Sequence, residues 1–119
     1  MSYGGSMNEF KLFNRSSNLL KYFETNILNN IPKVHSMYKT NIRENLVSLC
    51  ENIIRANINT GSIRNKYQKE ILVNISMLDM YLSILLELDI INKKKFMSVC
   101  QRLNEIKKMN MGWMYEKVK

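Results

Sequence analysis

Three consecutive lysines, Lys93-Lys94-Lys95, follow Asn92 at a point where the sequence predicts that a helix begins. The first turn of a helix carries unpaired backbone amides and partial positive charge, so each lysine there is unfavourable by roughly 0.3 to 1 kcal/mol. The same position suits a phosphate. Further along this helix Lys108 shares a face with Lys94, and Arg102 shares an adjacent face with Lys95. Arg64, Lys66 and Lys69 form a second basic cluster where the preceding helix opens after Gly61. These eight residues are the candidate ligands for a nucleic-acid backbone. The alternative is a set of flexible side chains that splay into water at small cost.

Other chemistry is thinly represented. The single histidine, His35, has no thiolate or carboxylate at ligand spacing, and Cys50 and Cys100 form no Cys-x-x-Cys pair, so no metal site is expected. There is no glycine-rich phosphate cradle, no Gly-x-Ser-x-Gly elbow and no His-Glu-x-x-His motif. Asp79 falls near the edge of a core-facing stripe, where a carboxylate is more often paired with Lys or Arg than used as a general base. An enzyme built on Asp79 or Glu87 is the weakest reading, and neither a catalytic residue nor a cofactor is expected. His35, following Pro32, reads as a packing or hydrogen-bonding residue rather than a pH switch.

The charge balance bears on the partner. A chain of 119 residues with 45% hydrophobic content fits one globular domain, and 18 Lys plus Arg against 10 Asp plus Glu give +8. Such an excess favours an anionic partner. Sixteen asparagines with many Ile and Lys also suit an AT-rich genome, so the charge by itself divides evenly between nucleic acid and simple solubility. Residues 81–119 hold eight basic and four acidic groups, residues 1–40 five and two, and the middle five and four, which leaves the centre nearly neutral. Cys50 and Cys100 each fall on the apolar side of a predicted helix and read as core. No apolar run approaches the ~20 residues of a membrane span, and the N-terminus lacks a secretory stretch, so a cytoplasmic protein is expected. The Asn-x-Ser triplets at Asn14 and Asn74 are therefore not expected to be glycosylated.

Sparse punctuation at Pro32, Gly61 and Gly112 divides the chain into segments of helical period, with no strand alternation. Residues 1–9 read as a flexible tail, with Gly4-Gly5 suggesting an appended segment at 1–6; residues 10–115 read as the folded unit and 116–119 as a C-terminal tail. The first helix is predicted from about Ser16 to Asn29, burying Leu20, Phe23 and Ile27, and a loop through Lys33 and His35 follows Pro32. The second is predicted to start at Asn41 with a capping box to Glu44, to bury Ile42, Leu46, Leu49, Ile53 and Ala56, and to carry a Glu51–Arg55 pair outside. Gly61 caps it in the left-handed conformation. The third helix runs from Ser62 to about Leu88; Asn92 caps the fourth, which buries Phe96, Val99, Cys100, Leu103 and Ile106 and breaks at Gly112. Trp113 is expected in the core. Short connections predict an all-α, up-down-up-down four-helix bundle.

The third helix has more apolar surface than such a bundle needs. At ~100° per residue, Ile71, Ile75, Leu78, Leu82 and Leu85 make one stripe. Val73, Met77, Met80, Ile84 and Leu88 make a second, turned well over a right angle from the first, and Ser76, Ser83 and Glu87 are left for water. One stripe serves the chain's own core. The second implies another subunit or another protein, and these five residues are the candidate oligomer interface.

Several stretches together resemble a known family. Pro32-Lys33-Val34-His35 through Asn41-Ile42-Arg43-Glu44-Asn45-Leu46, the Leu-rich third helix, the Leu88-Asp89-Ile90-Ile91-Asn92 turn, Leu103-Asn104-Glu105-Ile106 and Gly112-Trp113 are similar to the accessory variability determinant of diversity-generating retroelements. The likeness spans residues 10–115 and extends to the small bundles encoded in ribosomal RNA intervening sequences. It implies a bacterial or phage-encoded, non-enzymatic bundle that assembles as a barrel-shaped homopentamer. It also implies a reverse transcriptase partner and a template RNA copied with errors at adenines, with the basic barrel surface holding RNA or DNA. Here the basic residues are more often Lys than Arg, and no motif is strict enough to transfer a contact to one named position. Two readings follow: a nucleic-acid-binding scaffold for reverse transcription, and a protein-interaction bundle that ignores nucleic acid. A reverse transcriptase gene and paired repeats beside this one would favour the first.

Overall fold

The computed structural model describes residues 7–116, which form α1 (Met7–Asn26), α2 (Ser36–Ile58), α3 (Gly61–Glu87) and α4 (Lys93–Met114), with 3₁₀ turns at Leu28–Asn30 and Lys33–His35. Among the described residues there is no strand. Each helix packs on the next, and α4 closes back on α1. Cross-helix contacts run in opposite directions: Tyr38 meets Tyr81 while Asn52 meets Asn74, and Arg15 meets Glu105 while Asn26 meets Lys95. Neighbouring helices are thus antiparallel, in the manner of a four-helix bundle, within an envelope of 49 × 23 × 23 Å.

The core follows from helical spacing. Leu12, Leu19 and Phe23 from α1, with Ile27 just after it, meet Ile42, Leu46, Leu49, Ile53 and Ala56 from α2, the first stripe of α3, and Val99, Leu103, Ile106 and Trp113 from α4. Polar side chains interrupt it in a few places, and most are partnered. Asn52 donates to Asn74 Oδ1 at 2.9 Å, Asn74 donates to Asn45 Oδ1 at 3.3 Å, and Asn110 donates to the Gln68 carbonyl at 3.0 Å. These bonds tie α2 to α3 and α3 to α4 at fixed registers. Asn74, being buried in this network, is not an accessible glycosylation site.

Several boundaries differ from expectation. α1 begins by Met7, not Ser16, because buried Leu12 and Ser16 continue the core-facing stripe toward the N-terminus; within the expected span, Leu19 is buried where Leu20 is only half-buried. Met7 to Glu9 therefore belong to α1 and not to a tail, whereas the expectations for 1–6 and 117–119 lie outside the described residues. α2 starts at Ser36, five residues before the expected cap, since the 3₁₀ turn closed by His35 N–H on the Pro32 carbonyl (2.8 Å) feeds straight into it. Asn41 lies inside the helix, and its carbonyl accepts from Asn45. Gly61 takes the left-handed conformation (φ 61°) as expected, but as the first residue of α3. α4 continues through Gly112 to Met114, because burying Trp113 anchors one more turn.

The α3–α4 turn matches expectation at Asn92, whose side chain accepts from the Lys95 amide at 2.8 Å. Its other half is a Schellman motif: Asp89 N–H bonds the Leu86 carbonyl and Ile90 N–H the Leu85 carbonyl, with Asp89 at φ 58°.

Candidate functional site

The eight basic candidates separate into two groups. Lys93, Lys94, Lys108 and Lys69 are exposed, and among the described residues none of them forms an ion pair. Lys93, Lys94 and Lys108 lie on the outer side of α4, with exposed Met97 between them in sequence. Lys66 is exposed, with its ammonium 5.4 Å from the Tyr67 ring centroid.

The remaining three hold the bundle together. Lys95 Nζ donates at 2.8 Å to the Asn26 carbonyl, where α1 ends. Arg64 does the same for α2: its Nε reaches the Ala56 and Asn59 carbonyls at 2.9 and 2.8 Å, its Nη2 the Asn57 carbonyl at 3.2 Å, and its guanidinium lies 5.4 Å from the Trp113 ring. A cation at a helix C-terminus faces unpaired carbonyls and the negative end of the dipole, a favourable arrangement in both respects. Arg102 stacks over Tyr22 at 4.3 Å. Spacing within one helix does not reveal Tyr22 or the Tyr67–Arg55 contact, because Arg102 and Arg55 reach these rings from other helices. Arg55 likewise turns to Asn52 (3.0 Å) and the Tyr67 ring, not to Glu51.

The second stripe of α3 faces outward only in part in the single chain. Val73, Met80 and Leu88 are 55%, 44% and 43% exposed, whereas Met77 and Ile84 are half-buried against the chain's own core. Tyr38 packs edge-on to Tyr81, so the strongly exposed Met37 at the start of α2 lies at the level of the stripe's C-terminal half.

Titratable groups show ordinary pairing with a few displaced values. Arg43 grips Glu24 through Nε and Nη2 at 2.5 and 2.8 Å, and this hydrogen bonding holds the Glu24 carboxyl below its usual range. Burial pushes Asp79 up, opposed by the charge of Lys107. Cys50 and Cys100 are half-buried free thiols, Cys100 at the edge of the core and packed against it, and burial raises both, assisted by Glu51 and Asp79 respectively. His35 is half-buried and stacks on Tyr38 with ring centroids 5.7 Å apart. Between α1 and α4 a cleft of about 160 Å³ is lined by Arg15, Asn18, Leu19, Arg102, Glu105 and Ile106, with Arg15 and Glu105 paired across it. Among the described residues no three of His, Cys, Asp and Glu gather as metal ligands, and no helix is long and apolar enough to cross a membrane.

Compared with models of known families, with curated proteins and with solved structures, the chain matches none.

Proposed function

We propose that this chain is a non-enzymatic helical scaffold that assembles with copies of itself and binds RNA or DNA by phosphate charge, in support of a reverse transcriptase of the diversity-generating type. One observation carries the nucleic-acid half: Lys93, Lys94 and Lys108 share the outer side of α4 with no acidic partner among the described residues. Unpaired lysines on one rigid helix neutralise phosphates without reading bases. The reverse transcriptase rests on the resemblance alone.

The test is a salt titration of single-stranded RNA and DNA binding. Each phosphate neutralised contributes about −0.7 to the slope of log affinity against log salt for single strands, so replacing Lys93, Lys94 and Lys108 with Ala together lowers that slope by about 2. Affinity that stays flat from low to moderate salt overturns the reading. A second reading, a protein-interaction bundle without nucleic-acid binding, is favoured by a separate observation: Arg64 and Lys95 donate to backbone carbonyls of their own chain, and exposed Arg102 stacks on its Tyr22.

A further inference from the structure

The outer face of α3 has a symmetry of its own. Val73, Met77, Met80 and Ile84 follow at spacings of four, three and four, the repeat of a seam between two long helices. The midpoint of this run falls between Leu78 and Asp79. Charges flank it on one side: Lys69 and Glu87 are both exposed and stand 18 residues apart, which is five full helical turns. They therefore leave the helix in the same direction, and their midpoint is at the level of Leu78, coincident with the centre of the apolar run. Opposite charges placed equidistantly about the middle of an apolar stripe are self-complementary under a two-fold rotation.

We infer that α3 pairs antiparallel with α3 of a second copy of this chain, about a two-fold axis at the level of Leu78. Val73 of each copy meets Ile84 of the other, Met77 meets Met80, and Lys69 pairs with Glu87 twice. The flank matters to this register. A two-fold lying in the contact plane across the helices keeps each flank facing itself, so Lys69 meets Glu87, and Glu70 on the other flank meets Leu88 instead of a carboxylate. Parallel pairing, about an axis along the helices, brings opposite flanks together instead, setting Lys69 beside Glu70 and leaving Glu87 beside Leu88 without a cation. The inference rests on the self-assembly reading above and gives it a geometry. An isologous contact closes at two copies, whereas the five-membered ring implied by the resemblance needs this face to meet a different surface. It also assigns Lys69 to the subunit contact and leaves phosphate binding to α4.

The experiment is solution mass by light scattering and sedimentation at low salt. The wild type has the mass of two chains. Lys69→Glu and Glu87→Lys each convert two attractions into two repulsions and raise the dissociation constant by about tenfold. Mixing the two variants in equal amounts, or combining both changes in one chain, restores the mass of two. Both positions are exposed, and unchanged helical circular dichroism shows that each variant folds. Failure of the mixture and of the combined variant to recover overturns the antiparallel register. A five-chain mass indifferent to both reversals overturns it too, and a one-chain wild type overturns self-assembly altogether. Loss of the salt slope with a two-chain mass intact removes the nucleic-acid reading and leaves this one standing.

Discussion

A positive charge in this chain has its role decided by what lies within about 3 Å of it. Arg64 satisfies carbonyls of Ala56, Asn57 and Asn59 at once, so Arg64→Ala leaves several buried or half-buried acceptors without that donor. A loss of about 1 to 3 kcal/mol in urea unfolding is expected, and Arg64→Lys restores only part of it, since an ammonium lacks the planar fork. Carboxylates give opposite pH signatures. Glu24 has a lowered folded pKa, so its ionisation stabilises the fold at neutral pH and that contribution is lost as pH falls through the folded value. Asp79 has a raised folded pKa, so its contribution is full in acid and lost as pH rises through the ordinary carboxylate range. Glu24→Gln is therefore less stable than wild type at neutral pH and converges with it in acid, and Asp79→Asn is at least as stable at neutral pH. Urea midpoints measured across that range check both signs.

At the scale of the helix, two glycines with the same surroundings respond in opposite ways. A Cβ added at Gly61 or Gly112 meets nothing within 4 Å, so only backbone conformation distinguishes them. Gly61 sits at φ 61°, and Gly61→Ala costs about 1 to 2 kcal/mol. Gly112 lies inside α4, and Gly112→Ala gains about 0.5 to 1 kcal/mol. Asp89 holds the left-handed position of the α3 terminus, where Asp89→Gly relieves strain; thermal unfolding of the three variants orders them as Gly61→Ala lowest and the other two above wild type. The same logic explains the early start of α1, where burying Leu12 outweighs polar neighbours, and the persistence of α4 past Gly112, where burying Trp113 outweighs a glycine penalty of about 1 kcal/mol.

For the molecule as a whole, the decisive surface is the one the bundle leaves uncovered. Val73 and Met80 are exposed enough to accept charge without disturbing the core, so Val73→Lys with Met80→Lys yields a folded chain with the mass of a monomer. Met77 is unsuited to that test because it packs partly inside its own chain. The same monomer still carries Lys93, Lys94 and Lys108, and its nucleic-acid affinity measures how much of the binding depends on presenting those lysines from more than one copy.

Periodicity alone determined the four helices, the buried stripes of α2 and α3 and the Asn92 cap, because each depends on residues a few positions apart; it did not show that Met77 and Ile84 of the second α3 stripe pack against the chain's own core. Tertiary structure decided what lies between distant positions. Lys95 reads as a phosphate ligand until α1 brings the Asn26 carbonyl to it, and Arg102 reads the same until Tyr22 lies beneath it. Asn45, Asn52 and Asn74 look like codon drift until the α2–α3 register joins them. A local pattern records which face of a helix is apolar, but a cation's partner is fixed by packing between elements far apart in the chain, and no spacing within one helix encodes it.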